Sequence, residues 1–237
     1  MKNQSRIIVF SVLFILVCGV AAYVLRQNID TRGKAGRASD GFLETYSRCQ
    51  EIVARKMAMA VHGTLAGKKA LVLLPAPGTV EWTSDALASY EIFKSVVGNS
   101  LEVSEKRVAL AQRDRKSPTG DGAGPGDYFL SGKNMEDAVK GCDAEVVISF
   151  IGLPSLADGQ ELIRPLGKKI VVAYGPWSGI GPLVENGVVL LAIVDTNKVK
   201  YDRLVMNVDA DAVFAQRWRL VTPATLEEVR KQGINVD

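Results

Sequence analysis

The chain has 237 residues, 47% of them hydrophobic and 23% charged, which excludes both a disordered chain and a polytopic membrane protein. Its net charge of +3 is concentrated in the first forty residues, which hold six bases and two acids, so the remainder is close to neutral and lacks the basic surface nucleic acid requires. A single histidine, His62, nearly excludes histidine metal clusters and Ser-His-Asp or Cys-His catalysis.

Residues Ile7–Leu25 (IIVFSVLFILVCGVAAYVL) carry no charge. At about 1.5 Å per residue they come close to spanning a hydrocarbon core of about 30 Å. Lys2 and Arg6 with Gly19-Val20-Ala21 would also suit a cleaved signal peptide. The apolar run continues beyond Ala21 to Tyr23 and Leu25, and that length favours a retained anchor. Cys18 follows Val17, which is too bulky for a lipoprotein signal, so its thiol is read as inert. The basic residues flanking the span are nearly balanced, and the expected orientation puts the N-terminus inside. The protein is thus expected in the inner membrane as a single-pass chain, its domain outside the cytoplasm. Residues 1–25 form the anchor and residues 26–40 a polar, glycine-bearing juxtamembrane linker.

Residues 41–66 read as an amphipathic helix. Phe42, Tyr46, Cys49, Val53, Met57 and Ala60 recur at steps of three and four, and Glu44–Arg48 and Glu51–Arg55 make i,i+4 pairs. Such a helix either packs on its own domain or forms a stalk that pairs with a partner helix. The rest, 67–237, alternates apolar runs with amphipathic ones. Strands are expected at Ala70–Leu74, within Leu101–Leu110, and at Glu145–Ile151, Lys169–Tyr174, Val188–Val194 and Arg219–Thr222. Helices are expected at Ser84–Val97, Asn134–Gly141, Asp158–Leu166, Ile180–Asn186, Asp209–Gln216 and Ala224–Gln232, the last with Thr225 and Glu228 as a capping box. Nearly continuous Val- and Ile-rich runs are the mark of strands covered on both faces. The predicted fold is α/β: a doubly wound, mostly parallel sheet of about six strands, preceded by one transmembrane helix and the amphipathic helix.

The glycine-rich stretch 113–127 (RDRKSPTGDGAGPGD) breaks this alternation as a loop or irregular hairpin. It matches neither G-x-G-x-x-G nor a Walker A loop, and no cofactor or metal is expected. The bases Lys106, Arg107, Arg113, Arg115 and Lys116 form a solvated stretch, with anionic lipid headgroups as the alternative partner.

Ligands of open α/β sheets gather at the carboxyl ends of the strands. There the sequence places Trp82, Ser155, Trp177, Ser178, Asp195 and Thr196, suited to a small polar ligand stacked on an aromatic. Glu81, Asp158, Glu161 and Asp195 are the carboxylates near those ends, without a spacing that pairs two of them for acid–base work. No catalytic residue is assigned. Cys49 and Cys142 could bridge outside the cytoplasm or remain buried thiols.

The segments 68–75 (KKALVLLP), 141–150 (GCDAEVVISF) and 167–175 (GKKIVVAYG) resemble strand entries in one lobe of type 1 periplasmic binding proteins. That resemblance implies a Rossmann-like fold and a ligand face at strand carboxyl ends. With one lobe and no second, it does not imply a hinged solute trap or transport. The function expected is that of a membrane-anchored, non-catalytic binding or scaffold component of an envelope assembly, with a protein partner. The alternative is a membrane-tethered enzyme or small-ligand-binding protein using the strand-end cleft.

Overall fold

The computed structural model describes residues 42, 44–77, 83–112, 128–155, 159–173 and 179–237. The expected anchor Ile7–Leu25, the linker 26–40 and the glycine-rich stretch 113–127 lie outside them. Among the described residues no helix is long and apolar enough to cross a membrane. The chain divides into Met1–Tyr46 and Ser47–Asp237. In the first, the rings of Phe42 and Tyr46 stack with centroids 6.2 Å apart.

The elements follow in chain order. The first half comprises α1 (44–65), β1 (Lys69–Pro75), α2 (Thr83–Val97), β2 (Glu102–Val108), β3 (Ala111–Gln112) and β4 (Tyr128–Phe129). The second half comprises α3 (Gly132–Val139), β5 (Val146–Ser149), β6 (Lys169–Val172), α4 (Ile180–Glu185), β7 (Val189–Asp195), α5 (Ala210–Arg217), β8 (Trp218–Val221) and α6 (Leu226–Lys231). Six strands form one sheet in the order β2-β1-β5-β6-β7-β8, parallel except for the last pair.

Strands β1, β5, β6 and β7 are buried almost throughout, as continuous apolar runs require when both faces are covered. Alternation divides their side chains between two cores. Ala70, Val72, Leu74, Val146, Ile148, Leu191 and Ile193 join α1, α2 and α5 on one face. Leu71, Leu73, Val147, Ile170, Val172, Ala192 and Val194 join α3, α4 and α6 on the other. From Cys49 to Leu65, α1 is part of the first core, so along this stretch it packs on the sheet rather than standing free. Its buried face includes Ile52, Ala58 and Val61, while Phe42 is about half exposed. Strand β2 is the exposed edge and carries Glu102, Glu105, Lys106 and Arg107, charges that discourage pairing with another chain.

Two local features differ from the sequence expectation of helix and cap, and a third specifies the mostly parallel sheet. The segment expected as a helix over Asp158–Leu166 forms two 3-10 turns, Gln160–Leu162 and Arg164–Leu166. Gly159 enters with φ 97°, and Pro165 lacks the N–H a continuing helix would use. Thr225 does not cap α6 through its side chain; its hydroxyl accepts from Thr222 N at 2.9 Å and donates to Leu220 O at 2.8 Å, closing the turn after β8 instead. Finally, β8 is antiparallel. Thr196 N donates to Arg217 O at 2.8 Å, so α5 ends where β7 ends, and the chain can only run back along it.

Candidate functional site

The sheet order reverses direction at β1, whose neighbours are β2 on one side and β5 on the other. This is the topological switch point, where helices diverge to opposite faces and leave a crevice at the carboxyl ends. On the β5 side the exit is built tightly. Ser149 Oγ donates to Gly152 O at 2.5 Å and accepts from Ile151 N at 3.3 Å, which turns the chain at Gly152, where φ is 80°. Phe150 is buried under Tyr90 and Phe93, both edge-on to it at 5.8 and 5.6 Å. Ser155 follows, partly buried, and its carbonyl accepts from Gln160 N at 3.1 Å.

The turn at Gly159–Leu162 lies against the start of α3. A Cβ on Gly132 would collide with the Gly159 carbonyl, so glycine is required for this approach. Gln160 is only 3% exposed, and neither its amide nitrogen nor its amide oxygen has a hydrogen-bond partner. A buried carboxamide without partners costs free energy and calls for an explanation.

Of the six residues expected to line the ligand face, Ser155 sits at this edge. Trp82, Trp177 and Ser178 lie outside the described residues, as do Glu81 and Asp158. Asp195 and Thr196 are at the end of β7, separated from β5 by β6. Both are engaged with Arg217. Its Nε donates to Asp195 Oδ2 at 2.8 Å, its Nη1 to Val199 O at 2.8 Å and its Nη2 to Asn197 Oδ1 at 2.8 Å. The guanidinium carbon lies 3.8 Å from the centre of the Tyr201 ring, and Thr196 Oγ1 donates to Arg217 O at 2.7 Å. Asn197 takes φ 54°, which lets its amide N–H reach Asp195 Oδ1 at 2.8 Å. The Arg217 side chain is buried, and this cluster locks β7, the following loop and the α5–β8 junction together.

The other ionisable groups serve mainly to fasten the fold. Tyr90 donates to Glu105 Oε1 at 2.7 Å; that bond holds the Glu105 carboxyl below its usual range, while burial and then the bond push the Tyr90 phenol up. Lys68 binds Glu145 and Lys69 binds Asp143, both at 2.6 Å, and each bond lowers its carboxylate. Burial pushes the Cys49 thiol up to about 11. Cys49 and Cys142 are free: Cys49 belongs to the α1 side and Cys142 packs on the α3 side, so the sheet separates them and the bridge does not form. His62 is exposed on α1. A shallow groove of about 90 Å³ runs between α1 and α2, lined by Ser47, Gln50, Glu51, Asp85 and Ser89. Among the described residues no group of three or more His, Cys, Asp or Glu could hold a metal ion.

Sequence reasoning missed Gln160 and Arg217. Gln160 was hidden inside a run that reads as helix, although Gly159 and Pro165 were the signals against it. Arg217 reads as an ordinary last-turn base of α5, and only Asp195-Thr196-Asn197 after an apolar strand hinted at a structured turn.

No protein-family model matches the chain, and no curated protein matches it. Among solved structures the chain is similar to the substrate-binding protein of a sugar ABC transport system from Bordetella parapertussis. Identity is 13% over 78% of this chain and 59% of that one, with a TM-score of 0.49. The chain therefore spans less than two thirds of that protein. It is also similar to a mutant of the XylFII–LytSN complex, with 10% identity over 75% of this chain and 68% of that one and a TM-score of 0.45. No specific family is identified.

Proposed function

We propose that the protein is a membrane-tethered, non-catalytic binding domain that takes a small ligand at the carboxyl edge of its parallel sheet. The observation that carries this reading is the switch point between β1 and β5, the position where open α/β sheets offer a crevice. In this reading Ser155 lines the ligand face with Trp82, Trp177 and Ser178, which follow β1 and β6 in the sequence. Asp195 and Thr196 serve as a buttress, because Arg217 already occupies them. Ile7–Leu25 holds the domain at the inner membrane on its outer side, within reach of a partner in an envelope assembly.

The test is a fluorescence titration of the full-length protein in mild detergent with fractionated metabolite pools. Ligand binding predicts a tryptophan signal that saturates and that Trp177→Ala diminishes without loss of fold. A flat titration, together with capture of a membrane partner by the same preparation, would replace this reading with that of a scaffold. For the topology, His62→Cys should react with an impermeant maleimide in cells whose outer layer is opened; protection until the inner membrane is lysed would place the domain inside.

A further inference from the structure

The groove between α1 and α2 holds a charge that the fold does not use. Along α2, Asp85, Ala88, Ser89 and Ile92 recur at steps of three and four and line one side, while α1 supplies Gln50 and Glu51. Glu51 is matched within its own helix, where Arg55 Nε donates to its Oε1 at 2.9 Å. Asp85 has no such match. It is partly buried, and burial alone acts on its carboxyl and pushes it above the usual carboxylate range. The carboxyls of Glu105, Asp143 and Glu145 leave that range in the other direction, each held low by a bonded tyrosine or lysine. Withdrawing a carboxylate from water without a counter-charge costs free energy, and a cation brought to it from outside offsets that cost.

Volume decides which kind of cation. About 90 Å³ is well below the roughly 300–1,000 Å³ that encloses a small-molecule ligand, so the groove admits one side-chain head and not a metabolite. A bare metal ion is poorly served, since among the described residues no group of three or more His, Cys, Asp or Glu gathers around one point. Beside the carboxylate, Ala88 and Ile92 offer an apolar strip suited to the methylene stem of a long base. Arginine fits better than lysine, because its planar fork gives two parallel N–H donors to one carboxylate. We propose that this groove is a docking surface for a protein partner, which inserts an arginine side chain to pair with Asp85. The proposal concerns the helical layer and does not depend on a small ligand at the strand ends.

Thermal unfolding of the full-length protein in mild detergent tests it. The probe is an acetylated, amidated peptide of alanines and glutamines with one central arginine. Control peptides carry citrulline or glutamate in that place at matched ionic strength, and capped arginine amide supplies the same cation without a chain. The expected result is a rise in the midpoint of about 2–4 °C with the arginine peptide and none with the citrulline or glutamate peptide. Asp85→Asn keeps the shape, removes the charge and should lose that rise. Ala88→Trp should lose it as well, by filling the groove with the carboxylate intact, so the test stands if one variant folds poorly. No rise with the arginine peptide, an equal rise with the citrulline peptide, or a rise that survives in either folded variant would overturn the proposal. An equal rise with capped arginine amide at the same concentration would also overturn it, since the groove would then take a free cation rather than a partner's segment.

Discussion

Asp195→Ala is the most informative single change, because a residue first assigned to a ligand face is here part of a buried ion pair. The substitution leaves Arg217 Nε without its acceptor at 2.8 Å and removes the shared contact from Nη2 at 2.7 Å. Val199 O and Asn197 Oδ1 remain, but Arg217 stays only 6% exposed with its charge uncompensated. Breaking a buried pair from one side costs about 3–5 kcal/mol. Asp195 is itself a quarter exposed, so water reaches the gap and the lower end, about 3 kcal/mol, is expected. With a urea dependence of about 2–3 kcal/mol per molar, the unfolding midpoint should fall by about 1–1.5 M. Arg217→Met should cost less, about 1.5–2 kcal/mol, since its apolar stem is kept and the freed carboxylate can hydrate. The double variant should be no worse than about the Arg217→Met level, giving a coupling of at least about 3 kcal/mol between the two sites. The assay is urea unfolding followed by circular dichroism on all four proteins. A loss below about 1 kcal/mol for Asp195→Ala, or simple additivity in the double variant, would refute the reasoning.

Other expectations test separate parts of the structure. Gly132→Ala should destabilise by about 2–3 kcal/mol in the same assay, because the new methyl meets the Gly159 backbone rather than a side chain that can move. The Cys49 thiol ionises near 9 when unfolded and about 11 when folded, so its contribution is intact below pH 9 and is lost as the pH rises towards 11. Cys49→Ala should therefore flatten part of the alkaline fall in stability, and an unchanged fall would contradict the assignment. In the native protein an aromatic disulfide reagent should modify Cys142 well before Cys49, which is fully buried; equal rates would mean that α1 does not cover the sheet. A fragment beginning at Ser39 should be soluble and unfold in one transition, since both cores lie between Cys49 and Val236; loss of cooperativity would show that the first residues contribute to the fold.

Periodicity decided most of the architecture. The runs beginning at Ala70, Glu145, Lys169 and Val188 are nearly continuously apolar, as strands covered on both faces require, and β1, β5, β6 and β7 within them form the centre of the sheet in parallel register. The helix caps are local as well, although the sequence reading did not single them out: Ser131 and Asp209 lie just before their helices and accept from Asn134 N at 3.1 Å and Ala212 N at 2.9 Å. These are local relations, spanning a few residues, and a sequence records them directly.

What the sequence left open was settled by contacts between distant segments. Nothing in the composition of Arg219–Thr222 distinguishes a parallel from an antiparallel strand; the return of α5 to the end of β7 decides it. Asp195 has the same local signature whether it greets a ligand or an arginine, and Arg217, 22 residues further on, takes it. The separation of Cys49 from Cys142 depends on which face of the sheet each one meets. The unmet amide of Gln160 becomes visible only when the turn is seen pressed against Gly132. Local patterns determine which segments become strands and helices, because side-chain burial repeats with the period of the backbone. Partners for buried polar groups depend on three-dimensional closure, which joins residues far apart in the chain.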